Sequence, residues 1–219
     1  MMGRRSGPQA MSSGCPRARA AHNAAMLYLA SQSPQRAALL NQAGITFTVV
    51  SSAGDERLAR ACDPGALAIE RAVIKARGAQ GDWHAGDLVL GADTVVAFGD
   101  EEFGKPRDET DARRMLHQLS RNPHVVHTGH CLRRFYPDGV DERTALASTA
   151  VTMRPLSDAE IEAYIATGEW RDRAGSYAIQ ESGDAFVTGL DGDFDTVVGL
   201  SIAAVRKLLE GEQARPVGG

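Results

Sequence analysis

Apolar and polar residues follow two periods along this chain, one of two residues that suits strands and one near 3.6 that suits helices. The most apolar run is Leu88-Val89-Leu90-Gly91-Ala92-Asp93-Thr94-Val95-Val96-Ala97-Phe98, which predicts a central strand over residues 87–98. Ahead of it, Leu27-Tyr28-Leu29-Ala30 reads as a short strand running into Ser33 as N-cap and Pro34 at the first helical position, with Gly44 ending the helix that follows. The pattern then predicts a strand over 45–51, a helix over 64–79, and a helix over 110–119 capped from Asp108. Strands over 124–135 and 145–154 come next, followed by a helix opened by the capping box Ser157-Asp158-Ala159-Glu160 and closed at Gly168. Residues 176–180, a strand pair turning at Asp191-Gly192 and a helix over 202–209 complete the reading. Strands and helices alternate first and strands then bunch, which predicts a mixed α/β sheet with helices on its faces.

Asp93 is the residue this pattern leaves unexplained. A carboxylate buried without a partner costs several kcal/mol or more, so a core strand keeps one only for a cation, a donor network or a reaction. Either Gly91 breaks the strand and Asp93 caps a turn, or Asp93 is a metal-binding or base-acting carboxylate at a strand end. Two segments favour the second reading. At Ser31-Gln32-Ser33-Pro34-Gln35-Arg36 a strand meets a helix N-terminus, where unpaired N–H groups, two hydroxyls and Arg36 suit an anion. At Phe103-Gly104-Lys105-Pro106-Arg107-Asp108 two cations flank a proline turn, and a hairpin through Gly99-Asp100 carries Lys105 back toward Asp93. No Walker-type loop and no Gly-x-Gly-x-x-Gly follows any strand, which excludes the two common nucleotide-binding loops.

Composition narrows the classes further. A formal net charge of −4 gives no general attraction to DNA, RNA or anionic membranes, so phosphate binding has to be local. Cys15, Cys62 and Cys131 are widely spaced, which argues against a disulfide framework or zinc site and fits a reducing cytoplasm. No apolar run approaches the roughly 20 residues of a membrane span. Residues 1–25 carry four arginines and no acid, and are expected to be a disordered extension or a start assigned too far upstream. His124, His127 and His130 recur every third residue, which on a strand sends His127 to the opposite face and puts the outer two about 20 Å apart, so no metal triad is expected. Arg113 and Arg114 read as a solvated helix face, and Trp83 and Trp170 as core covers.

Taken in order, Ser31-Gln32-Ser33-Pro34-Gln35-Arg36, Asp55-Glu56, Lys75-Ala76, Gly91-Ala92-Asp93-Thr94, Gly104-Lys105-Pro106, Thr128-Gly129, residues 174–180 and residues 192–200 resemble the Maf family of nucleoside triphosphate pyrophosphatases. The likeness spans about residues 26–209, within a domain bounded at 26–212 and a tail over 213–219. It implies an elongated, ITPase-like α/β fold with a central cleft. It also implies a homodimer that hydrolyses a nucleoside triphosphate to the monophosphate and pyrophosphate with a divalent cation, Mg2+ or Mn2+.

On this resemblance Asp93 matches the proton acceptor, and Asp55 and Glu56 join it around the metal. Arg36, Lys75 and Lys105 hold the phosphates, with Ser31 and Ser33 as neutral donors. Thr94 and Gln180 shape the base pocket. Gly-Ala-Asp-Thr and Tyr-Ala-Ile-Gln are similar to the branch acting on dTTP and UTP, whereas the 7-methyl-GTP branch carries Ser-Asp-Gln and Ser-Glu-Gly there. The chain departs from the pyrimidine branch at Gln35, where arginine is usual, and at Glu181-Ser182, which replaces Gly-Leu. An amide in place of a guanidinium is the less selective reader of a base. The alternatives are a pyrophosphatase for modified or purine nucleotides, and a nucleotide-binding regulator of septum formation without turnover.

Overall fold

The computed structural model describes residues 25–180 and 182–211; the extension expected over 1–25, its last residue excepted, the tail over 213–219 and Glu181 lie outside them. Among the described residues seven strands form one mixed sheet. β1 (Leu27–Leu29) runs parallel to both β2 (Thr48–Val49) and β3 (Leu88–Phe98). β4 (Glu101–Phe103), β5 (His124–Tyr136), β6 (Gly139–Met153) and β7 (Val187–Asp191) pair antiparallel, giving the order β2-β1-β3-β5-β6-β7 with β4 against the end of β3.

Gly91 does not break β3, which is continuous and largely buried through it. The reason for glycine is proximity to α2 (Pro64–Arg77), because a Cβ at Gly91 would stand 2.4 Å from the carbonyl oxygen of Ala72. On β5, a Cβ at Gly129 would stand 2.3 Å from the backbone of Ala68. Ala68, Ala72 and Ala76 are fully buried and recur every four residues, so α2 presents a stripe of methyl groups to these glycines and lies unusually low on the sheet. That close approach brings Lys75 to Asp93. The opposite face is covered by α1 (Pro34–Gln42) and α6 (Ile202–Glu210), packed through Leu40 and Val205 on Leu29, Leu90 and Leu132. Farther along that face, α3 (Glu109–Leu119) and α4 (Asp158–Thr167) bury Leu116 and Ile161 against Val96, Phe103 and Val126. The expected caps are in place: Ser157 and Glu160 form the reciprocal box, and Gly168 takes the left-handed conformation.

Several boundaries differ from those expected. The strand expected over 45–51 is only β2, and β6 starts at Gly139, because its first half is extended by polar cross-strand pairs such as Arg133↔Glu142 that carry no apolar alternation. After Asp191 the chain forms the short helix α5 (Phe194–Val198) and not a returning strand. Local β propensity loses there to tertiary bonds: Thr149 Oγ1 donates to Asp193 O at 2.9 Å and Thr128 Oγ1 to Thr196 O at 2.8 Å. Residues 176–180 belong to a 3-10 turn at Ala174–Ser176 and the loop after it.

The three histidines have separate partners. His124 Nε2 meets Tyr177 Oη at 2.9 Å and His127 Nδ1 meets Ser148 Oγ at 2.8 Å, while His130 Nε2 accepts from the Ser201 amide at 3.0 Å. Burial pulls His124 and His130 from 6.5 down to about 4, so both are neutral in the fold. The unfolded chain therefore takes up protons first as pH falls, and the stability present above about pH 6.5 is lost progressively toward pH 4. The expected result is a lower urea midpoint near pH 5 than near pH 7; equal midpoints would mean the buried rings are protonated at no cost.

Candidate active site

β1 ends against residues 88–90 of β3 and β4 begins against residues 96–98, so on this edge neither strand covers residues 91–95. A cleft of about 810 Å3 opens at the gap. Its walls include the first turn of α1, the loop before Glu56, and the segments around Arg173 and Gln180. Gaps of this kind, beyond the carboxyl end of a parallel strand that feeds a helix, are common ligand sites in α/β sheets.

At one end of the cleft Lys75 Nζ donates to Asp93 Oδ1 at 2.6 Å and lies 3.1 Å from Glu56 Oε1. Asp93 is 6% exposed. Glu56 is brought in by a loop pinned to the end of α2, where Ser52 Oγ donates to Lys75 O at 2.8 Å and accepts from the Gly54 amide at 3.2 Å. A Cβ at Gly54 would stand 2.3 Å from Ile74 O, which explains the glycine. Asp55 is not with them. It caps the 3-10 turn Glu56–Leu58, and its carboxylate pairs with exposed Arg57 at 2.8 Å, which lowers its pKa. Asp55 does not line the cleft, so only Glu56 and Asp93 of the expected metal trio share a site. Among the described residues no group of three His, Cys, Asp or Glu side chains is placed to hold a metal ion.

Arg36 occupies the middle of the site and is 9% exposed. Its Nε donates to Gly199 O at 2.8 Å, Nη1 to Ser31 Oγ at 3.1 Å and Nη2 to Thr94 Oγ1 at 3.3 Å. Burial lowers its pKa, opposed by the charges of Asp93 and Glu56. Thr94 Oγ1 continues the chain to Thr128 Oγ1 at 3.0 Å. Arg36 thus ties α1, β3, β5 and the end of α5 into one network, and Ser31 and Thr94 are committed to holding it. Ser33 caps α1, its hydroxyl accepting from the Arg36 amide at 3.5 Å.

The other candidates face the cleft from its rim. Lys105 is two-thirds exposed, lies 3.6 Å from Asp172, and lines the cleft together with Asp93. Gln180 is exposed and also lines it. Gln35, with its amide oriented to satisfy both ends, accepts from Arg173 Nη1 at 2.9 Å and Nη2 at 3.1 Å while donating to Ser33 Oγ at 3.0 Å. Arg173 went unnoticed in the sequence, as did Thr128 as a member of the Arg36 network. For Arg173 the only available signal was a cation just ahead of Ala174-Gly175. Neither tryptophan lines the cleft: Trp83 packs edge-on to Tyr28 at 4.9 Å, and Trp170 is buried with its Nε1 donating to Ile165 O at 3.0 Å. Arg113 pairs with Glu162 on the surface.

The Maf-like protein family matches residues 26–212. A dTTP/UTP pyrophosphatase of Anaeromyxobacter sp. (strain Fw109-5) is 47% identical over 184 residues, covering 84% of this chain and 87% of that one. Another from Gloeobacter violaceus is 44% identical over 186 residues, covering 84% and 94%. Among solved structures, a nucleoside-triphosphatase / dITP/XTP pyrophosphatase from Mycobacterium abscessus aligns with a TM-score of 0.41 and 13% identity, over 86% of this chain and 96% of that one.

Proposed function

The chain belongs to the Maf family, and from that premise we propose that it is a hydrolase that splits dTTP and UTP into the nucleoside monophosphate and pyrophosphate. The observation that carries this reading is the buried Asp93 carboxylate, held at a gap in the sheet with Lys75 and Glu56 on one side and the Arg36 network beside it. Hydrolysis at an α-phosphate needs a base for the attacking water and positive charge for the phosphate oxygens. Asp93 takes the water's proton. Lys75 moves its charge from the two carboxylates toward the bound phosphates, which frees Asp93 to accept. Arg36 is too firmly held to travel and serves as a fixed charge beneath the phosphate chain. Lys105, on the exposed rim, meets the polyphosphate as it enters.

Glu56 and Asp93, which meet at Lys75, would hold a divalent cation such as Mg2+ or Mn2+ through hard carboxylate oxygens; Asp55 stands outside this set. Such an ion supplies neutralisation of the phosphate charge. Assembly as a homodimer and a cytoplasmic location are further parts of the proposal, supported by the resemblance of the motifs; light scattering in solution tests the first.

The deciding assay is pyrophosphate release from dTTP, UTP, CTP, GTP and 7-methyl-GTP with each metal, with dTTP and UTP expected to have the highest kcat/KM. A preference for 7-methyl-GTP would overturn the pyrimidine reading, and no release from any nucleotide would leave a binding protein without turnover. Arg173 changes what is expected at position 35. By sequence alone, Gln35→Arg adds a donor for pyrimidine carbonyls, but in the fold it sets one guanidinium against another. The single variant should therefore lose about tenfold in kcat/KM for dTTP and UTP alike, on the order of 1 kcal/mol for like charges in near-aqueous surroundings. Adding Arg173→Gln should recover the loss; if the single variant gains pyrimidine selectivity instead, Arg173 does not occupy that place in the working enzyme.

A further inference from the structure

A smaller cavity of about 300 Å3 adjoins the cleft at Asp93. It shares Glu56, Asp93 and Lys105 with the cleft and adds Arg57, Arg71 and Glu102. Its size is at the low end for small-molecule sites, suited to an inorganic anion more than to a nucleotide. Arg71 and Lys75 are four residues apart on α2 and so project from the same face, which sets two cations side by side above the β3–β4 hairpin. Arg71 Nη1 and Nη2 donate to the Glu102 carboxylate at 2.5 and 3.1 Å, in the two-pronged geometry that also fits a phosphate. Among the described residues its Nε is buried without a hydrogen-bond partner.

Both members of this pair are partly exposed, 23% and 31%, so solvent and solutes reach it without unpacking the core. A highly charged anion entering the cavity can therefore replace Glu102 as the partner of Arg71, and the buried Nε supplies a further donor if the guanidinium turns. Burial lowers the pKa of Arg71, but Glu102, with Asp93 and Glu56 behind it, raises it overall, so Arg71 is fully charged and close enough to feel the proposed base. Arginine suits this role better than lysine because its planar fork grips two phosphate oxygens together.

We propose that this smaller cavity is a pyrophosphate subsite in which Arg71, released from Glu102, and Lys105 hold the inorganic product. The assignment rests on the pyrophosphatase reading for its biological sense, since a triphosphate reacting at Asp93 has to send its nucleoside and its pyrophosphate in different directions and two cavities meet there. Glu102 then acts as a placeholder that competes with the product for Arg71 and limits product retention.

The test is calorimetric titration of the full-length protein with pyrophosphate in the presence of Mg2+, with UMP as control, for the wild type, Arg71→Gln and Glu102→Gln. Arg71→Gln should weaken pyrophosphate binding about tenfold, the scale of one charge-assisted contact. Glu102→Gln should tighten it about threefold by freeing Arg71, and UMP affinity should stay the same in both. If the pair is merely a structural tie between α2 and β4, both variants shift together or not at all, and the subsite is wrong. Turnover of dTTP and UTP is measured alongside. Opposite shifts without turnover would keep the subsite and sink the enzymatic reading, whereas turnover with unchanged pyrophosphate affinity would do the reverse.

Discussion

Asp93→Asn is expected to lower kcat by about a hundred- to ten-thousand-fold, the range that a positioned base contributes, while nucleotide binding stays within about tenfold of the wild type. The substitution keeps size and one acceptor oxygen, so Lys75 retains a hydrogen bond to position 93 and its contact with Glu56 at 3.1 Å. Arg36 is held by Gly199, Ser31 and Thr94 and not by Asp93, so the proposed phosphate cradle survives the substitution. What disappears is a group able to take a proton. The measurements are kcat for dTTP and the Kd of a non-hydrolysable dTTP analogue. A variant that keeps most of its kcat would reduce Asp93 to a structural partner of Lys75.

Lys75→Ala should destabilise the fold substantially. Removing one member of a buried ion pair leaves an uncompensated charge and costs about 3–5 kcal/mol. Asp93 has 8% of its side chain exposed and would be stranded, but Glu56 at 45% can turn into water, so a loss of about 2–3 kcal/mol is expected. The same change leaves two carboxylates facing each other with no cation between them. Millimolar Mg2+ or Mn2+ should therefore raise the urea midpoint of the variant more than that of the wild type. A variant as stable as the wild type, with no added response to metal, would show that the Lys75 ammonium contributes no more than a surface pair.

Much of the molecule was legible in the sequence because the signals are local. Ser33 and Pro34 open α1, the Ser157–Glu160 box opens α4, and the hairpin through Gly99-Asp100 returns Lys105 to the cleft, each through caps and turns that act over a few residues. Asp93 stood out for an equally local reason, a carboxylate in an apolar strand. The polar first half of β6 and the helical turn after Asp193 escaped, since cross-strand pairing and the hydroxyls of Thr128 and Thr149 decide them.

The sequence by itself determined the alternation of strands and helices, the caps, and the oddity of Asp93, because periodicity and the cost of burying a charge are properties of short segments. Only the tertiary structure decided which charges meet. Asp55 and Glu56 are neighbours in the chain, yet a 3-10 turn sends one to Arg57 and the other to Lys75. Why position 91 is glycine becomes plain only once α2 is seen lying on it, and Gln35, read from sequence as facing the base, is found bonded to Arg173. Apart from the local Asp55–Arg57 pair, these outcomes depend on elements far apart in sequence coming within about 3 Å, and at that range the direction of a side chain and the height of a helix above a sheet set the electrostatics.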